Sequence, residues 1–344
     1  MPAIHIIETS LHRIDLEEET IGERIVVGSD TDFRTYVGKL IEDMYESNRY
    51  KSYKFASNET EVVRQILDIN SECWIEKSQI IAERLLRIEK AAQERVQHLT
   101  ELRVGSLVQI LVTVDGQKNL IITKVDHSPY LDEVSLMEKL GLPVNQRAQK
   151  TAIISYEDEA TIGNVRLGDT NKKISEYWWK YFFEVEELKS SEKNTELAFL
   201  TIDKVLRKDV RKVSKSDFWT LRNAVISYFR TNESCTFDTL VDLVFNDYQP
   251  DNQELNMEKI KQQILALPEK YKFDSQFDIS PSSIKAKIKD QIKLAENLEL
   301  KITGEINNLS SLIDTGEAEN GRKYIRIFSE TGYAEFNKTL EVAE

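Results

Sequence analysis

The chain has 344 residues, 40% of them hydrophobic, and sets 59 acidic against 46 basic side chains for a formal net charge of −13. That length favours two cores over one, because single cores seldom grow beyond roughly 250–300 residues. The acidity excludes a surface that attracts nucleic acid or anionic membrane as a whole, so contact with a polyanion requires a segregated basic face.

The only cysteines, Cys73 and Cys235, stand outside any Cys-x-x-Cys pair. This argues against a disulfide framework or a cysteine zinc site and suits a reducing compartment. Met1 to Leu11 lacks a basic stretch followed by an apolar core, and no run of roughly 18 apolar residues occurs. A cytoplasmic location without membrane spanning is therefore expected.

Ile4, Ile6 and Ile7, then Ile25 to Val27 beyond the acidic Leu16–Glu19 stretch, predict two short strands joined by a solvated loop. Asp30 or Thr31 is placed to cap a helix bearing Phe33, Val37, Leu40, Ile41 and Met44, and Asn58 to cap one bearing Val62, Val63, Ile66 and Leu67. From Trp74 to Leu99 an apolar stripe through Ile81, Leu85, Ile88, Ala92 and Val96 keeps helical spacing without Gly or Pro. Such a stripe suits a homodimer seam or packing within one chain, the latter being expected. Leu107–Val114, the Asp115-Gly116 turn and Leu120–Val125 form the clearest hairpin, apolar on both faces. A polar connector follows Pro129, punctuated by Gly141-Leu142-Pro143, before a strand at Thr151–Tyr156.

Tyr177 to Phe183 is an aromatic block in which Trp178, Tyr181, Phe182 and Val185 have helical spacing, expected to pack on a neighbouring domain. Lys189–Asn194 is polar and aperiodic and is assigned as a linker. Helices are then expected at Leu197–Lys212, Asp217–Phe229, Phe237–Phe245 after a Thr236 cap, and Met257–Leu267 up to Pro268. Ser280-Pro281 predicts a further helix through Ala295, with Ile284, Ile288 and Ile292 inside and Lys285, Lys287, Lys289 and Lys293 outside. Leu298–Ile302 alternates as a strand, and Tyr324–Phe328 follows an Asn320-Gly321 turn. The expected fold class is α+β, with an N-terminal mixed sheet-and-helix domain over residues 1–189. A mainly helical domain with a terminal β-hairpin is expected over 195–344.

Chemical motifs are sparse. Gly163–Thr170 has the spacing of a phosphate loop, but Asp169 stands where a lysine is needed, and a loop with ordinary turn glycines is expected. His5, His12, His98 and His127 lack metal-ligand spacing, and His127 beside Asp126 and Ser128 cannot align as a triad on a strand. Asp290 with Glu299-x-Lys301 loosely has the order of a Mg²⁺-dependent nuclease, although Asp290 falls in a predicted helix. A non-enzymatic protein with neither cofactor nor metal is the expectation.

Within this acidic chain the local sign reverses after the aromatic block. Lys204, Lys208, Arg211, Lys212 and Lys215 gather largely on one face of the predicted helix, joined in the basic run by Arg207, with Ile202, Val205, Leu206 and Val213 as apolar contacts elsewhere. These residues, and secondarily Lys285, Lys289 and Lys293, are the candidate DNA-phosphate contacts. A solvated face paired with acids of the same chain is the competing reading.

Several segments together resemble the bacterial nucleoid-associated protein family of the NdpA type. They are Ile4–Ile14, the Leu107–Val125 hairpin, Ile174-Ser175-Glu176-Tyr177-Trp178-Trp179-Lys180-Tyr181-Phe182-Phe183, Asn194-Thr195 with the following helix, Phe277-Asp278-Ile279-Ser280 and the closing strands through Ile327. The resemblance implies a cytoplasmic protein on the bacterial nucleoid that binds DNA, with a DNA-acting protein as a further partner. It carries over no site residue. The expected function is DNA binding with little sequence preference; the alternatives are an adaptor binding a DNA-acting enzyme through its aromatic or acidic surface, and a divergent nuclease.

Overall fold

The computed structural model describes residues 3–22, 31–46, 49–95, 105–143, 148–158, 161–304, 306 and 309–337. The expected strand at Ile25–Val27 and the end of the long helix beyond Arg95 lie outside them. The chain is α+β.

Its first half builds an antiparallel sheet. Rather than a short strand, the N-terminus forms β1 (Ile4–Asp15), long because it pairs along a full neighbour, with a bulge between Ile6 and Glu8. It is followed by β2 (Thr20–Ile21), α1 (Thr31–Glu46), β3 (Lys51–Phe55), α2 (Glu61–Ile66) and α3 (Trp74–Arg95). The cap of α2 is Thr60, whose side chain accepts from the Val63 N–H, and not Asn58. Next come β4 (Gly105–Val114) and β5 (Gln117–Asp126), joined by a turn with φ of 50° at Asp115 and 83° at Gly116. Both central residues need positive φ there, which is why Asp-Gly marks the turn. The expected connector contains a small hairpin, β6 (Ser128–Leu131) and β7 (Glu138–Gly141); then follow β8 (Lys150–Tyr156), β9 (Ile162–Asp169), a π-helical turn Tyr177–Phe182 and β10 (Val185–Glu187). Eight strands join in the order β10-β3-β9-β8-β5-β4-β1-β2.

Period-two alternation loads both faces of this sheet. Val108, Ile110, Val112 and Ile121 meet Val37, Leu40 and Ile41 of α1 on one face. Leu107, Leu111, Leu120 and Ile122 meet Trp74, Ile81 and Leu85 of α3 on the other. The long helix thus spends its stripe on its own sheet.

The aromatic block joins that same core and not a neighbouring domain. Trp178 stacks on Phe182 at 5.1 Å between centroids, and both are fully buried with Phe183. Arg84 of α3 fixes the block by donating to the Phe182 and Tyr181 carbonyls at 2.9 and 2.8 Å. Gly163–Thr170 is likewise corrected: most of it is strand β9. There a Cβ at Gly168 would stand 2.5 Å from the Arg49 carbonyl oxygen and 2.7 Å from Thr151 Oγ1, so a crossing backbone and not a phosphate explains that glycine.

The second half is mainly helical: α4 (Ser191–Val205), a π-helical turn Leu206–Val210, α5 (Lys215–Thr231), β11 (Ser234–Thr236), α6 (Phe237–Val241), a third π-helical turn Asp242–Asn246, α7 (Met257–Leu265) and α8 (Leu267–Tyr271). Pro268 lies in the first turn of α8, where its missing N–H costs nothing. Then β12 (Gln276–Asp278) pairs with β11. Phe199, Ile202, Phe218, Phe229, Phe237, Phe245 and Ile264 fill one core. The chain closes with β13 (Asp290–Ala295), β14 (Leu298–Ile302), α9 (Leu309–Leu312), β15 (Ile313–Glu317), β16 (Lys323–Ile327) and α10 (Glu330–Phe336). The expected hairpin about Asn320-Gly321 is β15–β16. Among the described residues no helix is long and apolar enough to cross a membrane.

The predicted linker is a junction and not a spacer. Ser190 caps α4, its Oγ accepting from the Lys193 N–H, and Asn194 is wholly buried. Asp274 accepts from the Ser52 N–H of β3 at 2.9 Å and from Asn194 Nδ2 at 2.8 Å, while Asn194 Oδ1 accepts from the Asp274 N–H at 2.9 Å. The Ser275 and Gln276 N–H groups both donate to the Tyr50 carbonyl. Sheet and helices are therefore joined by buried hydrogen bonds. Asp274→Ala strands two buried donors, and urea unfolding should show a loss of about 2–4 kcal/mol.

Candidate nucleic-acid interface

The basic stretch does not lie on one uninterrupted helix. The helix widens at Leu206–Val210, where the Arg211 N–H reaches back to the Leu206 carbonyl, and it stops before Ser214, which caps α5. Lys215 consequently opens the next helix instead of completing the face. Ile202 and Leu206 are fully buried and Val205 is half-buried, but Val213 is 41% exposed and is no part of the apolar face.

Burial and pairing divide the candidate cations into two kinds. Arg207 bonds Asp203 and Asp290, each at 2.7 Å, so it is already neutralised. Arg211 is half-buried, with its guanidinium 5.1 Å from the Phe218 ring centroid and 5.9 Å from that of Trp219. Lys204, Lys208 and Lys212 are exposed, and among the described residues none forms an ion pair. They border a shallow groove with Leu200, Asp203 and Arg207. Lys204 Nζ rests 5.6 Å from the Tyr271 ring centroid and 3.4 Å from its hydroxyl, which tethers the side chain without cancelling its charge.

The second lysine row is not helical. Ser280-Pro281 does open a helix, but only the four-residue 3₁₀ turn Pro281–Ile284 forms, and Asp290 begins β13. The spacing of Ile284, Ile288 and Ile292 satisfies a period of two as well as of 3.6, so periodicity could not separate the two outcomes. Pairing with β14 decided it, with Lys293 opposite Glu299. Lys285, Lys289 and Lys293 are exposed, whereas Lys287 bonds Glu196 at 3.3 Å.

What the sequence could not reveal is that these two rows adjoin. Arg207 reaches across to Asp290, and Arg222 bonds Asp203 at 2.6 Å while donating to the carbonyl of Ile288 at 3.2 Å and that of Lys287 at 3.4 Å. This anchors the segment carrying Lys289 beside the segment carrying Lys208. Burial pushes the Asp290 carboxyl up, but the Arg207 hydrogen bond, the Gln291 N–H and the charges of Arg207 and Arg222 together outweigh it and hold the group below the usual carboxylate range. No spacing rule relates residues 207 and 290, so no sequence signal could have found the contact.

The nuclease constellation is not assembled. In the β13–β14 register Asp290 faces Ile302 while Gln291 faces Lys301, which puts Asp290 on the opposite side from Glu299 and Lys301. Glu299 accepts a hydrogen bond from Gln291. Among the described residues no group of three His, Cys, Asp or Glu side chains could hold a metal ion. His127 does meet a serine, but it is Ser106 on β4, at 2.8 Å, and its Nδ1 lacks a hydrogen-bond partner among the described residues. Among the described residues no acid therefore orients the imidazole as a triad requires.

No protein-family model matches the chain, and no curated protein does. The NdpA-type likeness rests on sequence segments alone.

Proposed function

We propose that this chain is a non-enzymatic DNA-binding protein of the bacterial nucleoid, within the cytoplasm, that contacts phosphates through Lys204, Lys208 and Lys212 with little sequence preference. The supporting observation is a ridge of exposed lysines without ion pairs among the described residues, beside Lys289 on the adjoining segment, in a chain of net charge −13. Several other lysines are drawn into ion pairs, as at Lys51–Glu187, Lys124–Glu89 and Lys150–Asp169. Phosphate contacts position a protein on a duplex without reading its bases, so low sequence preference follows. The net negative charge slows approach to DNA and confines attraction to this ridge. For an adaptor role Trp178, Phe182 and Phe183 are buried and out of reach, which leaves only the half-buried Tyr177, Trp179 and Tyr181 of the aromatic block.

Fluorescence anisotropy with two unrelated duplexes, between about 50 and about 200 mM salt, tests the proposal. Similar affinities for both that fall steeply with salt are expected. Absence of binding at the lower salt would sink it.

A further inference from the structure

A cleft of about 550 Å³ opens between the sheet and the helical half, on the face of the sheet that α1 covers only in part. Its floor includes Ser52, Ile153 and Arg166, with Arg166 opposite Ile153 in one pairing and Ser52 in the other. Met44 and Tyr45 of α1 also line it, and Phe273, 1% exposed, lies beneath its surface in the helical core. Among the described residues Arg166 Nε is shielded from water without a hydrogen-bond partner, and no carboxylate pairs with the guanidinium. Its guanidinium lies 5.4 Å from the Tyr50 ring centroid, which offsets part of the cost of burying the charge. Burial raises the Tyr45 and Tyr50 hydroxyl pKa values, and the Arg166 charge opposes both shifts, so positive potential reaches these phenols.

The other charges on the cleft wall sharpen the sign. Arg49 is bound to Asp238 at 2.8 Å and Asp169 to Lys150 at 2.8 Å. Among the described residues this leaves Arg166, Lys189 and Lys272 without ion pairs against Asp43 and Glu269, a positive balance inside a strongly acidic protein. A guanidinium kept unpaired in a cleft presents a planar donor fork suited to an oxyanion. The volume falls in the range of small-molecule sites, roughly 300–1,000 Å³, and the half-buried Tyr45 and Met44 suit a flat apolar ring.

We propose that this cleft binds a small organic phosphate of nucleotide size, with the phosphate on Arg166, assisted by Lys189 and Lys272, and the attached ring against Tyr45 and Met44. The site is separate from the lysine ridge and does not depend on DNA binding. Calorimetric titration of the full chain with AMP, GMP, CMP and UMP, beside adenosine and inorganic phosphate, tests it. At least one mononucleotide should bind saturably and at least ten-fold more tightly than adenosine or phosphate alone. Arg166→Met should weaken that binding at least ten-fold and leave the melting temperature unchanged or higher, because the substitution removes a partly buried, unpaired charge. Arg166→Lys, which keeps the charge but not the fork, should fall between. Replacing Lys204, Lys208 and Lys212 with glutamine should leave nucleotide binding intact. Failure of all four mononucleotides to bind, unchanged affinity in Arg166→Met, or a lower melting temperature for that variant would each overturn the proposal.

Discussion

Replacing Lys204, Lys208 and Lys212 together with glutamine should lower the slope of log affinity against log salt on duplex DNA by roughly 2.7, at about 0.9 for each phosphate no longer neutralised. The weakening should be alike on unrelated sequences, because none of the three is proposed to read a base. Stability should scarcely change, since all three side chains are exposed and free of ion pairs among the described residues; Lys204 gives up its place over the Tyr271 ring. Arg207→Gln should behave in the opposite way. It leaves Asp290 without its cation and Asp203 with Arg222 alone, so it should destabilise the fold while leaving the salt slope nearly unchanged. A triple variant with the wild-type slope would remove the ridge from the interface, and Lys289 and Lys293 would be tested next.

Asp169→Ala should destabilise the protein by about 3–5 kcal/mol in urea unfolding, the range for breaking a buried ion pair by removing one partner. Asp169 and Lys150 are both buried, 2.8 Å apart, and the same carboxylate accepts from the Ser175 N–H and hydroxyl and from the Asn171 N–H. These bonds fix the segment leading from β9 into the aromatic turn. Pairing the change with Lys150→Met should recover part of the loss, since the lysine would no longer be buried without its acid. A cost below about 1 kcal/mol for the single change would mean that water solvates the pair, contrary to its burial.

Local patterns predicted the elements whose information is local. Asp115-Gly116 between two apolar runs fixes the β4–β5 hairpin, and Asn320-Gly321 fixes β15–β16, because each turn demands backbone angles that few other residues adopt. The stripe on α3 is equally local, whereas the caps at Ser190 and Ser214 are local signals that go unassigned when the helix start is not seen; the polar run before Asn194 conceals the first as a supposed linker. The segregation of positive charge after residue 203 is also legible from the sequence.

The tertiary structure decided everything that depends on which distant segments meet. Ile284, Ile288 and Ile292 fit a helix and a strand alike, and the cross-strand partner Leu300 made Ile292 a strand residue. The aromatic block carries the same apolar signal whether it packs on a neighbour or on its own sheet; Arg84, some hundred positions earlier, fixed its seat through the carbonyls of Tyr181 and Phe182. Charge type is written in the sequence, but charge availability is not. Arg207 and Lys208 are adjacent, yet Asp203 and Asp290 approach the first while the second forms no ion pair among the described residues. Arg166 looks like an ordinary strand residue until the fold surrounds it with a cleft and supplies no acid among the described residues. Composition and periodicity set the elements because they act over a turn or a strand pair; pairing, burial and exposed charge belong to contacts that the folded chain alone creates.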